Sequence, residues 1–428
     1  MWIVNGRLID PANRIDGEYD LRIEGGRVAA VAPRGQGPRE GEIVDAPGKW
    51  IVPGLVDMHA HLREPGYEYK ESIGTGTRAA AAGGFTSVAC MANTNPVNDS
   101  PAITEFILGK ARKEGVTNVF PIGAATKGLA GESLAEMGEM KAAGIVGVSD
   151  DGNTIMNAAV ARRVFEYAGM FGLVVISHCE DRNLSEEGVM HEGFVSTRLG
   201  LPGVPAAAED IQVSRDLHLA ELTGARLHVA HISTAGAVRL LRDAKDRGVD
   251  VTAEASPHHL TLTDEAVSTY DTNAKMAPPL RPERDVQVLR EAIVDGTIDA
   301  IATDHAPHSP VEKEVEFNAA PNGIVGLETA LPLVLRLVHE GRVPLDTAIR
   351  RLTVGPAGIL RIDKGHLSIG ADADVTIIDP GLEHEVDPTR FYSKSRNTPF
   401  GGWKLVGRAI RTLVGGRTVF DLARGGIL

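Results

Sequence analysis

The central part of the chain alternates apolar, strand-like runs with alanine-rich helical stretches. Eight such runs occur, and strands that alternate with helices favour a parallel sheet; eight repeats predict a closed (β/α)8 TIM barrel, an α/β fold. The predicted strands are residues 55–59, 85–91, 118–122, 145–149, 173–178, 226–231, 250–255 and 298–304. Predicted helices include residues 102–114, 134–143, 158–171, 208–223, 235–246, 327–339 and 345–352.

Both ends of the chain have a β pattern instead. Short strands are predicted at 2–8, 20–24, 27–31 and 42–45, and again at 373–378, 403–406, 408–414 and 418–421. Neither end holds enough apolar surface for its own core, so we expect them to pair into one small β-sandwich domain. The predicted boundaries are 1–53 for the N-terminal part of this domain, 54–362 for the barrel and 363–428 for the C-terminal part.

Composition narrows the function classes. The 428 residues include 44 basic and 57 acidic side chains, a formal charge of -13, and no basic cluster stands out. This balance argues against nucleic acid or an anionic membrane as partner. An anionic small molecule stays open, because the local field of a pocket can oppose the net charge.

Two cysteines, Cys90 and Cys179, lie in apolar runs, which indicates buried thiols and a reducing compartment. The N-terminus has no basic region followed by an apolar core, and no apolar stretch is long enough to span a bilayer. We therefore expect a soluble, unprocessed, cytoplasmic protein.

The first predicted barrel strand ends in the triplet His59-Ala60-His61. Side chains two residues apart in a strand point to the same side, so both imidazoles can reach one metal ion. The alternative is a pair of histidines on a half-buried strand. The residues at the other strand ends favour the metal site.

Histidine or aspartate recurs at five of the eight strand ends, where barrel enzymes carry their active sites. Besides His59 and His61, these are Asp150 and Asp151, His178, His231 and Asp304. Imidazole and carboxylate together suit zinc. One aspartate can be shared by two ions, and position favours Asp151; Asp150 is the competitor, because adjacent residues face opposite ways.

Further polar residues at the same rim indicate the substrate. A metal-activated water is the expected nucleophile, and Asp304 the carboxylate that takes and returns its proton. Arg63, Asn93 and His308 follow strand ends, and an arginine fork with an amide donor suits a carboxylate. The alternative for Arg63 is an ion pair with Glu64, and for Asn93 a turn-forming role.

Several motifs resemble those of class I dihydroorotases of the amidohydrolase superfamily. They are residues 54–61, the run 59–66 that begins with the HxH triplet, Met-x-Asn-Thr-x-Pro at 91–96, Ser-Asp-Asp-Gly at 149–152, Asp-His-Ala-Pro-His at 304–308, Glu312-Lys313, and 320–328. The resemblance covers nearly the whole chain. It implies zinc-dependent, reversible closure of N-carbamoyl-L-aspartate to dihydroorotate, a step of pyrimidine synthesis.

The resemblance also implies roles for single residues. Zinc, with two ions expected per subunit, would be held by His59, His61, Asp151, His178 and His231, and Asp304 would be the acid/base group that also touches metal. Substrate contacts would come from His61, Arg63, Asn93, His308, Asn322 and Gly323. Ala277 stands where the family usually has a substrate-binding asparagine, which leaves one contact in doubt.

Two other function classes stay open. One is a related cyclic-amide hydrolase, of the allantoinase or dihydropyrimidinase type, on the same metal site. The other is a non-catalytic scaffold for aspartate transcarbamoylase. A homodimer and an association with that enzyme are also left open, and the long loop from His305 to Gly323 is expected to close over the substrate.

Overall fold

A computed structural model describes residues 1–36 and 41–428. Eight parallel strands, each paired with the next along the chain, form a barrel. It closes where Ala60 bridges His305, with the His61 amide donating to the His305 carbonyl over 2.8 Å. The barrel strands are Leu55–Ala60, Phe85–Cys90, Asn118–Gly123, Gly147–Ser149, Val174–Ser177, Leu227–Val229, Val251–Ala255 and Ala300–Ile301. The TIM-barrel prediction is confirmed.

Helices follow the strands and cover the barrel. The longer ones are Ile73–Gly83, Pro101–Glu114, Met137–Ala143, Ala158–Met170, Ala206–Thr223, Ala235–Asp246, Glu283–Asp295, Ala330–His339, Leu345–Leu352 and Val354–Leu360. Short helices are Arg182–Ser185, Phe194–Leu199 and Pro310–Lys313, and 3-10 turns are Lys127–Leu129, Asp264–Val267, Thr272–Ala274, Pro388–Arg390 and Leu422–Arg424. Buried alanines on the helices let them lie close to the strands.

The two ends of the chain form one second sheet of ten strands. Its strands are Trp2–Val4, Arg7–Asp10, Ile15–Glu24, Arg27–Pro33, Ile43–Asp45, Trp50–Pro53, Val375–Glu385, Lys404–Val414, Arg417–Asp421 and Gly426–Ile427. Trp50–Pro53 pairs antiparallel with Val375–Glu385 and so joins the two ends. A shared core with Ile3, Ile377 and Leu413 confirms that neither end folds on its own core.

Local details differ from the sequence-based prediction. The strand expected at 2–8 is interrupted, because Asn5 has a φ of 64°, in the left-handed region that breaks a strand. The helix expected from residue 134 begins at Met137, because Leu134 pairs with Thr126. A separate pair of two-residue strands, Met190–His191 and Gly203–Val204, was not predicted.

Within residues 1–36 and 41–428, the helices are all too short or too polar to cross a membrane. Cys90 and Cys179 are both buried and unpaired.

Candidate metal centre and substrate cavity

The carboxyl ends of four barrel strands bring five side chains together. His59 and His61 come from the first strand, and Asp151, His178 and His231 follow the fourth, fifth and sixth. They form two groups, each with its nitrogen and oxygen atoms within 4.8 Å of one another: His59, His61 and Asp151, and Asp151, His178 and His231. Asp151 is the member that both groups share.

The neighbouring aspartate points away from this cluster. The Asp150 carboxylate accepts the backbone N–H groups of Ala125 and Thr126, both at 2.9 Å, and the Thr126 hydroxyl. These hydrogen bonds attach the Asp150 carboxylate to the preceding loop. Adjacent residues in extended backbone point to opposite sides. Because Asp150 points toward the loop at Ala125 and Thr126, Asp151 points toward the histidines.

Hydrogen bonds fix the rings of the first two histidines. Nδ1 of His59 lies 2.6 Å from Glu254, so it carries a proton and leaves Nε2 facing the cluster. Nδ1 of His61 lies 2.9 Å from the Asn93 side-chain oxygen, and its Nε2 faces Asp304 and Asp151 at 3.2 and 3.5 Å. Both histidines thus turn Nε2 toward the shared Asp151, at 3.4 Å for His59 and 3.5 Å for His61.

The other two histidines lie close to the same carboxylate. Nδ1 of His178 and Nε2 of His231 lie 3.0 Å apart, and each is within 3.7 Å of Asp151 Oδ1. Nε2 of His178 faces Glu180 at 3.5 Å, which favours a proton on that nitrogen. His178 therefore presents Nδ1, whereas His231 presents Nε2.

Two buried atoms at the centre of the cluster have no hydrogen-bond partner among the described residues: Nε2 of His59 and Oδ1 of Asp151. Unpaired buried polar atoms are costly, and a cation between them would satisfy both. Three or more imidazole and carboxylate ligands suit zinc and related divalent ions. The residues therefore fit a divalent metal.

The cluster keeps its carboxylates ionised. Burial alone would raise the pKa of Asp151, but His59, His231 and His61 lower it well below its ordinary value. Burial acts the same way on Asp304, and the nearby histidines, His61 first, again lower its pKa. Asp304 Oδ1 lies 3.2 Å from His61 Nε2 and 3.7 Å from His59 Nε2.

Three residues of this rim have left-handed backbone conformations. The φ angles are 60° for Arg63, 30° for His231 and 47° for Asp304. Such conformations cost free energy in residues other than glycine, and they cluster at functional sites where the surrounding structure holds them. Here they turn side chains at strand ends toward the barrel axis.

A cavity of about 320 Å³ opens beside the cluster. Every residue that the sequence suggested for substrate or metal, apart from the deeper His59, lines it. The lining residues are His61, Arg63, Asn93, Asp151, Gly152, Thr154, His178, Glu180, Arg182, His231, Ala277, Asp304, Ala306, His308, Asn322 and Gly323.

Arg63 and His308 lie together on one wall. Arg63 Nε donates to the Pro307 carbonyl at 3.2 Å, and its other end lies 3.5 Å from His308 Nε2. The alternative of an ion pair with Glu64 is not realised, because the Glu64 oxygens meet the Ile73 amide and Lys110. Within the described part of the chain, no carboxylate forms an ion pair with Arg63.

The sequence did not single out Glu254, Glu180, Thr154 or Arg182. Glu254 is the one charged residue of the strand Val251–Ala255, and such a lone buried carboxylate is a usable signal. Glu180 follows His178 at a spacing of two, the same alternation that relates His59 to His61. Arg182 donates to the Gly152 carbonyl at 2.9 Å. No pattern in the sequence pointed to its place in the cavity.

Comparisons with known proteins agree with this geometry. A family described as "Dihydro-orotase-like" matches residues 48–237, and "Amidohydrolase family" matches 215–420. A dihydroorotase of Geobacter sp. (strain M21) is 57% identical over 98% of this chain and 99% of its own length. A dihydroorotase of Syntrophus aciditrophicus (strain SB) is 55% identical over 97% of this chain and 98% of its own.

Among solved structures, the L-hydantoinase (dihydropyrimidinase) of Arthrobacter aurescens is similar, with a TM-score of 0.88 and 26% identity. The match covers all of this chain and 97% of that one. The fold, the cluster and the full-length identity lead to one conclusion. The chain belongs to the dihydroorotase family of metal-dependent cyclic amidohydrolases.

Proposed function

We propose that the protein is a zinc-dependent dihydroorotase, which interconverts N-carbamoyl-L-aspartate and dihydroorotate in pyrimidine synthesis. The observation that carries the proposal is the Arg63 guanidinium, which lines the cavity beside the metal cluster without a carboxylate partner in the described residues. A half-buried guanidinium without a counter-ion favours an anionic ligand. Dihydroorotate has such a carboxylate.

Three side chains orient the substrate in this proposal. Arg63 binds the substrate carboxylate through its fork, and Asn93 adds its amide N–H₂, because its oxygen is already occupied by His61. His308 donates through Nε2 to the Asn322 carbonyl over 2.8 Å, which holds the neighbouring backbone of the cavity wall. The amide carbonyl of the ring is thereby placed toward the histidine cluster.

Asp304 is the proposed acid/base group. Its lowered pKa keeps it ionised at neutral pH, so it can accept a proton from the attacking water. In hydrolysis it passes that proton to the leaving ring nitrogen. In ring closure it takes the proton from the ureido nitrogen, and low pH favours closure because the protonated carboxyl group is the electrophile.

The proposed ligands of the metal are His59, His61, Asp151, His178 and His231, with Asp304 beside them. A bound divalent metal would supply a water of lowered pKa and would polarise the reacting carbonyl. Two overlapping groups that share Asp151 support two zinc ions per subunit. Metal analysis of purified protein, as zinc atoms per chain, tests the count.

The residue at position 277 affects which ring substrate the cavity accepts. Ala277 lines the cavity with a side chain that offers no hydrogen bond. In this proposal Arg63, Asn93 and His308 supply the polar contacts, and Ala277 contributes only packing. If Ala277 instead marks a different ureide ring, dihydroorotate should be a poor substrate.

The competing function is that of a related cyclic-amide hydrolase, of the allantoinase or dihydropyrimidinase type; the similar Arthrobacter structure is named an L-hydantoinase (dihydropyrimidinase). The test is turnover of dihydroorotate, allantoin and dihydrouracil by one zinc-loaded sample. We expect dihydroorotate to be preferred by about 10- to 100-fold, because hydrogen bonds to a charged group contribute about 1.5 to 3 kcal/mol. Preference for allantoin or dihydrouracil would contradict the proposal.

The remaining proposals concern setting and partners. Two buried, unpaired cysteines support a reducing, cytoplasmic location. A homodimer and an association with aspartate transcarbamoylase remain predictions. Light scattering of the protein alone, and then with that enzyme, tests both.

A further inference from the structure

The loop that follows the last barrel strand contains a buried lysine to which the proposed mechanism gives no role. Lys313 ends the short helix Pro310–Lys313, and only 5% of its surface is exposed. Among the described residues no carboxylate forms an ion pair with it. A buried ammonium must find other acceptors, since its desolvation is costly.

The ammonium of Lys313 joins two chain segments. It donates to the Pro321 carbonyl at 2.8 Å and to the Thr272 carbonyl at 2.9 Å. The Thr272 hydroxyl donates back to the Lys313 carbonyl at 2.6 Å. Both segments lead directly into the cavity, because Pro321 precedes Asn322 and Gly323 and Thr272 lies shortly before Ala277.

Further hydrogen bonds hold the end of the loop, directly after the residue that Lys313 contacts. The Gly323 amide donates to the Lys275 carbonyl over 2.9 Å, and the Asn322 carbonyl accepts from His308. These bonds hold Asn322 and Gly323 from two sides, and Lys313 holds the residue just before them. Hydrogen bonds to the backbone of Pro321, Asn322 and Gly323 therefore hold this wall of the cavity in position.

We propose that Lys313 is a positioning residue for substrate binding: its ammonium sets the Asn322-Gly323 wall of the cavity against the segment that carries Ala277. It touches neither the metal cluster nor the cavity itself. Its loss should weaken substrate binding and leave the chemical step and the metal in place. The inference deepens the proposed function and rests on it.

The charges around Lys313 support this role. Burial is the main reason that its pKa falls to about 7, and Lys275 lowers it further. Asp271 and Glu312 oppose the shift without forming an ion pair. The Lys313 side chain donates to two backbone carbonyls rather than to a carboxylate, so it links two chain segments.

The test compares Lys313→Met with Lys275→Met. Lys275 is the matched control, because it is similarly buried and its ammonium also donates to a loop carbonyl, that of Asn318, which does not line the cavity. The substitution retains the Lys275 backbone carbonyl that accepts from Gly323. For Lys313→Met we expect the KM for dihydroorotate to rise about tenfold, with kcat within threefold and zinc content unchanged. For Lys275→Met we expect a KM rise of less than threefold.

Hydrogen exchange of the metal-loaded protein gives a readout that does not use activity. Amides of residues 321–323 should exchange faster in Lys313→Met than in Lys275→Met, while those of the barrel strands stay the same. If Lys313→Met does not fold, Lys313→Gln replaces it; because its shorter amide keeps a polar donor, we expect changes in the same direction but smaller, and they must still exceed those of Lys275→Met.

The inference is wrong if KM and exchange do not change in the folded variant, if both variants change equally, or if kcat and zinc content fall together. Failure of the proposed function looks different. In that case the unmodified protein does not turn over dihydroorotate, whatever the exchange of residues 321–323 shows.

Discussion

Glu254 accepts a hydrogen bond from Nδ1 of His59 over 2.6 Å, and both side chains are almost completely buried. The same carboxylate meets His228 Nε2 at 3.1 Å, so it links a residue of the strand interior to the metal cluster. Burial opposes ionisation, but His59 and His228 lower the pKa of Glu254 to about 2. Glu254 is therefore a charged anchor that sets which His59 nitrogen faces the cluster.

Replacing this anchor should weaken metal binding. Glu254→Gln is expected to lower zinc affinity about 10- to 100-fold, because the supporting partners of metal-binding histidines contribute on this scale. Competition with a chelator measures it. Glu64→Gln is the control, since Glu64 is another buried glutamate of this rim that touches none of the clustered histidines. Equal affinities in both variants would contradict the role of Glu254.

Arg63 should determine the affinity for the substrate. Arg63→Met is expected to raise the KM for dihydroorotate about 10- to 100-fold, since hydrogen bonds to charged groups contribute about 1.5 to 3 kcal/mol. The control is Arg182→Met, because Arg182 also lines the cavity but donates to Gly152 and Asn153. A larger KM rise for Arg182→Met would move the carboxylate contact to that residue.

Asp304 should be required for the chemical step. Asp304→Asn is expected to lower kcat about a thousandfold, within the range typical of general acid–base catalysis. The variant has nearly the same shape, so circular dichroism should be unchanged. Zinc content must be measured alongside, because Asp304 lies close to His61 and His59. A zinc-loaded variant that keeps most of its activity would exclude Asp304 as the acid/base group.

The metal-depleted protein should become less stable in acid, because the folded state keeps His259 neutral. Burial lowers the pKa of His259 to about 4, from an ordinary value of 6.5, so the folded protein keeps it neutral. Below pH 6.5 the unfolded chain takes up a proton that the folded chain does not. Stability is therefore lost as the pH falls toward 4, by on the order of 2 to 3 kcal/mol from this group.

His259→Gln tests this dependence, since an amide can still donate to the Pro278 carbonyl that His259 contacts at 2.9 Å. Urea unfolding at pH 7 and pH 4.5 should show a smaller acid loss in the variant than in the unmodified protein. Identical losses would mean that His259 is not kept neutral by the fold.

Much of the site could be predicted from the sequence, because a barrel places every strand end on one rim. Once the strands are assigned, His59, His61, His178 and His231 must meet there. The choice between Asp150 and Asp151 could not be derived in this way. It depends on the loop at Ala125 and Thr126, whose amides bind Asp150 and so turn Asp151 inward.

Other features depend on contacts between distant segments. Glu254 lies inside its strand rather than at the end, and only its distance to His59, 195 residues away, reveals its role. Lys313 appears in the sequence as part of a motif, but its link between Thr272 and Pro321 requires the folded loop. Long-range hydrogen bonds of this kind leave no periodic pattern in the chain.

The most direct test of the central claim is to measure zinc content and the rate of dihydroorotate hydrolysis on one sample, before and after chelation and after zinc is restored. The account predicts that activity falls with the zinc, returns with it, and saturates at two ions per chain. Full activity in the zinc-free protein, or bound zinc without any turnover of dihydroorotate, would contradict it.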